Sequence, residues 1–195
     1  MSEPGNIPRP PLARGSRAED PESFGARPGE VAITLPETFD AGLHFIGRLR
    51  TPWIERRQCP KNGRESDAVC RVELDRLYRP GLADLAGTTH LWLLYWMDRA
   101  PRNLVVQTPR IHGTGRGTFA LRSPARPNPI ALSAVRVVGL DADGLSVVGL
   151  DCLDGTPLLD IKPYFTSTDS LPEAVVGWRQ EQEERRKGAA PSERT

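Results

Sequence analysis

With 195 residues, 38% hydrophobic and 26% charged, the chain has apolar material for one core of about 100–200 residues, with length left over for polar ends. Its longest apolar run, LWLLYWM at 91–97, falls well short of the ~20 residues a membrane helix needs, and the first residues lack the apolar stretch of a secretory signal. The net charge is +1, and three scattered cysteines argue against a disulfide framework or a zinc site and fit a reducing cytoplasm.

Residues 1–40 are rich in Pro, Gly, Arg and Glu without apolar period, and read as a flexible arm. A first strand is expected before Pro52, in FIGRLR, followed by PWIERRQCPKNGR, whose CPKN is a tight turn carrying a lysine and an amide. CRVELDRL then alternates, placing Cys70, Val72 and Leu74 on one face. GLADLAG at 81–87 suggests a short helix, and HLWLLYWM, apolar on both faces, a central strand. NLVVQ, GTFAL, IALSAVRVVGL and GLSVVGL continue the strands, with DADG at 141–144 as a hairpin turn. A second helical piece is expected after Pro172, and residues 174–195 form a polar tail. Short strands divided by Gly and Pro predict a mainly β fold: a single compact barrel at 41–173, few short helices and flexible termini.

The charges are sorted along the chain. Between Arg99 and Leu140 lie seven arginines and no acid, and between Asp141 and Glu173 seven acids and one lysine. The basic block suits phosphates, whereas the acids suit a cation or the fold's own arginines.

GTGRGTF at 113–119 has the wrong glycine spacing for a dinucleotide loop and leads into an expected strand, so it reads as a turn. His44, His90 and His112 have no neighbours at metal-ligand spacing, so no metal is expected, and Ser123 is not in a nucleophile elbow. Two stretches are denser. In LRSPARPNPIALS, Pro124, Pro127 and Pro129 stiffen a non-helical loop that presents Arg122, Arg126 and Asn128. The same residues also suit a plain proline-rich turn. In LDCLDGTPLLDIKPY, Asp151 and Asp154 flank a turn, either as a simple connection or as a receptor for a flat heterocycle and its ribose or amine.

Together and in order, FIGRLRTPW, CPKNG, HLWLLYW, RSPARPNPIALS and LDGTPLLDIKPY resemble the TsaA-like family, best understood as TrmO-type tRNA methyltransferases. The resemblance runs from about Phe45 to Pro172. It implies a β-barrel that binds S-adenosylmethionine and works as a homodimer. Longer members methylate N6 of the threonylcarbamoyl-modified adenosine at tRNA position 37, and carry a further tRNA-holding domain after the barrel. By motif, the cofactor is expected on Pro60, Lys61 and Asn62, on Met97 and Asp98, on Arg122 and Leu132, and on Gly149, Leu150 and Asp151. Asp98 and Asp151 are the candidates to receive a proton, and Arg102, Arg110, Arg116 and Arg126 the candidates for tRNA phosphates. A regulatory cofactor-binding module and a small-molecule methyltransferase are the alternatives on the same barrel.

Overall fold

The computed structural model describes residues 27–109 and 114–181. The expected arm up to residue 26, Arg110, His112 and the tail from residue 182 lie outside the described residues. Two compact units are present: the described residues up to Glu37 with Ala100–Asn128, and Thr38–Arg99 with the residues from Pro129 onward.

The second unit is the expected barrel. Six strands, β2 (Gly47–Arg50), β3 (Val69–Leu74), β4 (His90–Trp96), β7 (Ile130–Asp141), β8 (Gly144–Val148) and β9 (Thr156–Pro163), close in the order β2-β3-β8-β7-β4-β9. Every neighbouring pair is antiparallel, and β9 against β2 completes the ring. The period of two decides what lies inside. Leu91, Leu93 and Tyr95 of β4 point inward to meet Leu49, Val72, Val135, Leu145, Val147 and Leu158, all buried. Each such leucine or valine contributes about 1.5–3 kcal/mol when buried. The DADG turn is as expected: Asp141 pairs with Gly144, whose φ of 157° is open to glycine, and a Cβ there would meet the Val72 carbonyl oxygen at 1.9 Å.

The first unit is a three-stranded sheet, β1 (Val31–Ala32), β5 (Leu104–Gln107) and β6 (Arg116–Gly117), with β5 in the middle. Its β1 lies within the segment read as an arm. Glu30 ties it down: the carboxylate, only 3% exposed, accepts from the Arg27 guanidinium at 2.6 Å and from the backbone N–H groups of Arg27 and Thr108.

Two local expectations change. GTFAL is not a strand. After β6, Thr118–Ala120 form a 3₁₀ turn because Thr118 turns inward to be held by Leu104 and Gln107 instead of continuing the ladder. GLADLAG is not an α-helix either. The 3₁₀ segment Arg76–Leu82 precedes it, with Pro80 inside, and positive φ at Asp84 and Gly87 prevents a regular helix from following. The α-helix α1 (Thr166–Asp169) was not foreseen; Asp169 closes it by accepting from the Phe165 N–H and the Trp92 indole.

Candidate cofactor site on the barrel

The site grows from the residues that follow β8. Gly149 (φ 117°) turns the chain so that Leu150 drops into the core and Asp151 stays half-buried at the barrel's end. Against this corner lies the CPKNG turn. A Cβ on Gly63 would stand 1.9 Å from the Gly149 carbonyl oxygen, so only glycine permits the two backbones to touch. The Cys59 thiol, at the start of the turn, has its pKa raised by burial and then by the Asp151 carboxylate. Sequence reading chose two stretches 86 residues apart (63 to 149), and the fold lays one on the other.

Asp151 is held from inside the barrel. Tyr95, 2% exposed at the end of β4, donates its hydroxyl to Asp151 Oδ1 at 2.9 Å. The same hydroxyl oxygen lies 2.9 Å from Ser133 Oγ on β7. A phenol has one proton, and a carboxylate only accepts, so the chain of donation runs from Ser133 to Tyr95 to Asp151. Burial, then the nearby Asp151 charge, pushes the Tyr95 pKa far up, so the phenol stays a neutral donor. Neither Tyr95 nor Ser133 was singled out from sequence.

A second seam joins the first strand to the LDGTP turn. Thr51 Oγ1 donates to the Cys152 carbonyl at 2.9 Å, and the Thr51 N–H to Asp154 Oδ1 at 3.1 Å. The Asp154 N–H returns to the Trp53 carbonyl at 2.7 Å. The functional reading and the simple-turn reading of this stretch therefore coexist: Asp154 serves the turn, while Asp151 faces Tyr95.

The other expected cofactor residues occupy different settings. Pro60 is half-buried, and Lys61 and Asn62 are exposed. The Asn62 amide is engaged locally, donating to Glu65 at 2.6 Å and accepting from the Arg64 N–H. Met97 is half-buried against the core and its N–H donates to the Pro129 carbonyl at 2.9 Å, while Asp98 beside it is exposed. Leu132 is 44% exposed, on the opposite face of β7 from Ser133, so its side chain points away from the Tyr95–Asp151 pair. Arg122 belongs to the first unit, where it is exposed.

Of the arginines expected to meet RNA, two are turned on their own loop. Arg102 Nε donates to the Pro127 carbonyl at 2.8 Å, and Arg126 donates to the carbonyls of Ser123, Leu121 and Thr118. Arg116 is half-buried in β6. The acids that follow residue 140 pair elsewhere: Asp141 with Arg71 at 2.5 Å, Asp143 with Arg79, and Asp154 with Arg50 at 3.7 Å. Their partners are three of the seven arginines between residues 50 and 79. Among the described residues no ion pair involves Arg99, Arg122 or Arg136.

The pieces suit a cationic nucleoside cofactor: an oriented carboxylate, a backbone corner closed by two glycines, and a half-buried methionine. Among the described residues no group of three or more His, Cys, Asp or Glu could hold a metal ion, and no helix is long and apolar enough to cross a membrane.

Comparison with known proteins identifies the family. The sequence profile of the tRNA-methyltransferase O N-terminal domain matches residues 48–170. A probable S-adenosyl-L-methionine-binding protein, VirR of Rhizobium radiobacter, is 44% identical over 137 residues, covering 70% of this chain and 78% of that protein. The tRNA (adenine(37)-N6)-methyltransferase of Escherichia coli K12 is 36% identical over 146 residues, covering 69% of this chain and 62% of that enzyme. A crystal structure of TrmO from Pseudomonas aeruginosa superposes with a TM-score of 0.61 at 33% identity, covering 72% of this chain and 63% of that one. The chain thus spans a little under two thirds of these two methyltransferases' length. It belongs to the tRNA-methyltransferase O N-terminal domain family.

Proposed function

We propose that this chain is an S-adenosylmethionine-dependent methyltransferase that modifies N6 of the threonylcarbamoyl-modified adenosine at tRNA position 37. One observation carries the reading: the CPKNG turn and the Gly149–Asp151 corner, far apart in sequence, meet beside a carboxylate that accepts from Tyr95, itself backed by Ser133. The names of the relatives support the cofactor and the reaction class.

In this reading Pro60, Lys61, Asn62, Met97, Asp98, Leu132, Gly149, Leu150 and Asp151 hold the cofactor, with Leu150 acting through its backbone because its side chain is buried. Arg122 joins them on the motif resemblance alone. When bound, S-adenosylmethionine supplies a methyl group on a positively charged sulfur. Transfer to nitrogen is an in-line displacement, so the protein chiefly orients donor and acceptor. Tyr95 positions the Asp151 carboxylate by donating to Oδ1. Asp98, exposed beside Met97, and Asp151 are the candidates to receive the proton leaving N6. The protein acts in the cytoplasm, where tRNA is modified, and as a homodimer whose second copy covers the outer face of β7, where Ile130, Leu132, Val138 and Leu140 are exposed.

The test is a methylation assay with methyl-labelled S-adenosylmethionine and total tRNA from cells lacking this modification, followed by nucleoside analysis. Label in the N6-methyl nucleoside is expected; cofactor binding without label in RNA would overturn the enzyme reading. That outcome would favour a cofactor-binding module, a reading supported by the relatives named only as binding proteins. Label on a small molecule alone would leave the barrel's chemistry and change its substrate.

A further inference from the structure

The first unit contains an aromatic side chain for which its own packing gives no use. Phe119, in the 3₁₀ turn after β6, is 86% exposed, whereas its neighbour Thr118 is 0% exposed. A phenylalanine left in water forfeits the burial that ordinarily stabilises it. A floppy loop tip would explain that, but this turn is braced. Thr118 Oγ1 donates to the Leu104 carbonyl at 3.1 Å and accepts from Gln107 Nε2 at 2.7 Å. Gln107, itself buried, also donates to the Ala125 carbonyl at 2.5 Å. The Leu121 N–H closes the turn on the Thr118 carbonyl at 3.1 Å, and the Arg126 guanidinium clasps the Thr118 and Leu121 carbonyls from the proline-rich loop. The backbone on both sides of Phe119 is fixed while its ring faces solvent.

The electrostatic setting says what the ring is offered to. Residues 100–128 carry five arginines (102, 110, 116, 122 and 126) and no aspartate or glutamate. Arg122 is exposed three residues after Phe119. A flat aromatic face on a segment that carries arginines and no acid of its own fits an unpaired nucleobase with its phosphates: stacking is tolerant of base identity, and a cationic segment attracts the backbone. An apolar protein surface would gain nothing from the arginines, and an acidic one would have no use for the ring.

We infer that Phe119 is a stacking platform for an unpaired base of the RNA substrate, held rigid by Thr118, Gln107 and Arg126. The inference rests on the tRNA reading proposed above and names a residue of the RNA surface that neither the motifs nor the charge block pointed to. A preformed platform loses little entropy on binding, which gives the bracing network its purpose.

The test uses the full chain and two fluorescein-labelled 14-nucleotide RNAs, one single-stranded and one in a duplex, read by fluorescence anisotropy. Phe119→Ala should weaken binding of the single strand about tenfold, the scale of one lost base stack, while duplex affinity stays within about twofold. Phe119→Trp should restore the single-strand affinity. Calorimetry with S-adenosylmethionine and light scattering on the same variants should match the parent. Unchanged single-strand binding by Phe119→Ala overturns the inference. So does a weakened cofactor affinity, which would make Phe119 part of the cofactor site, or a lowered mass, which would make it a contact between copies. If the parent methylates tRNA while Phe119→Ala shows any of these results, only the inference falls. If the parent neither binds these RNAs nor methylates tRNA, the tRNA reading falls and takes the inference with it.

Discussion

Tyr95 has the face and neighbours of a core residue and yet ends in a polar contact. Removing only its hydroxyl isolates that contact. Tyr95→Phe keeps the ring in the barrel and leaves Asp151 Oδ1 without its donor. We expect S-adenosylmethionine to bind roughly fivefold more weakly, the counterpart of about 1 kcal/mol, with the methylation rate at saturating cofactor less affected. Calorimetry on the variant decides it: an unchanged dissociation constant with a lower melting temperature would reduce Tyr95 to a packing role. Arg122→Ala probes the residue that the motif alone assigns. Losing a charge-assisted hydrogen bond costs about 1.5–3 kcal/mol, so cofactor affinity should fall at least tenfold with the melting temperature intact. Parent-like binding by that variant removes Arg122 from the site. Tyr95 was hidden from sequence reading for a physical reason. Its partners lie 38 and 56 residues away, and a tyrosine in an apolar alternating strand is indistinguishable from a packing residue until those partners are placed.

Elements were legible where one interaction dominates. Alternation marked β3, a continuous apolar run marked β4, and the two-residue turn marked the β7–β8 hairpin, since these signals are local. Thr118 shows the limit: nothing local distinguishes a threonine that continues a strand from one pulled inward by Gln107. The CPKNG turn was legible as a turn, but its seat on Gly149 was not. Gly63→Ala tests that seat. The new methyl group would lie 1.9 Å from a backbone oxygen, so the turn must lift off or the corner must shift. Overpacking of this kind costs about 1–3 kcal/mol. We expect the melting temperature to drop by several degrees, at roughly 2–4 °C per kcal/mol, together with loss of cofactor binding. Gly81→Ala, which meets nothing nearby, serves as the neutral comparison. The Glu30 anchor of β1 makes a pH prediction. The Arg27 guanidinium, and then the backbone donors, hold its pKa at about 2 against the burial that raises it, down from an ordinary 4.5. A depressed carboxylate stabilises the fold fully above its unfolded value and loses that contribution as pH falls through the folded one. The gap in melting temperature between the parent and Glu30→Gln should therefore be constant above about pH 5 and shrink between 4.5 and 2. A gap independent of pH would mean the carboxylate's charge does not matter there.

On the scale of the whole molecule, the sorted charges of the sequence have an unexpected destination. Three acids of the second half reach back to Arg50, Arg71 and Arg79, and among the described residues none forms an ion pair with Arg99, Arg122 or Arg136. A +1 protein can in this way present a strongly basic segment. Binding to RNA should therefore weaken steeply with salt, and the slope of log affinity against log salt should be shallower by about one for Arg116→Ala if that guanidinium meets a phosphate. A slope near zero for the parent would show that phosphates are not engaged. The proposed pairing of two barrels is likewise a whole-molecule matter. Val138→Glu places a charge on the exposed face of β7, six residues along the strand from Leu132. Light scattering should read a dimer for the parent and a monomer for this variant, and a monomer for both would contradict the pairing.

The closure of β9 between β4 and β2 has a consequence in time. Gly47 waits for Leu158, more than a hundred residues downstream, before the ring is complete. During synthesis at about 5–20 residues per second, the early strands β2 and β3 stand with an open edge for several seconds, even though each is already fully made. Non-local pairing of this kind also places refolding on the slow side, in milliseconds to seconds. The strand that finishes the barrel is the same stretch, TPLLDIKP, whose preceding turn carries Asp151 and Asp154. The Gly149–Asp151 corner directly precedes that strand, so in a growing chain the proposed cofactor corner and the closure of the barrel are among the last parts to form.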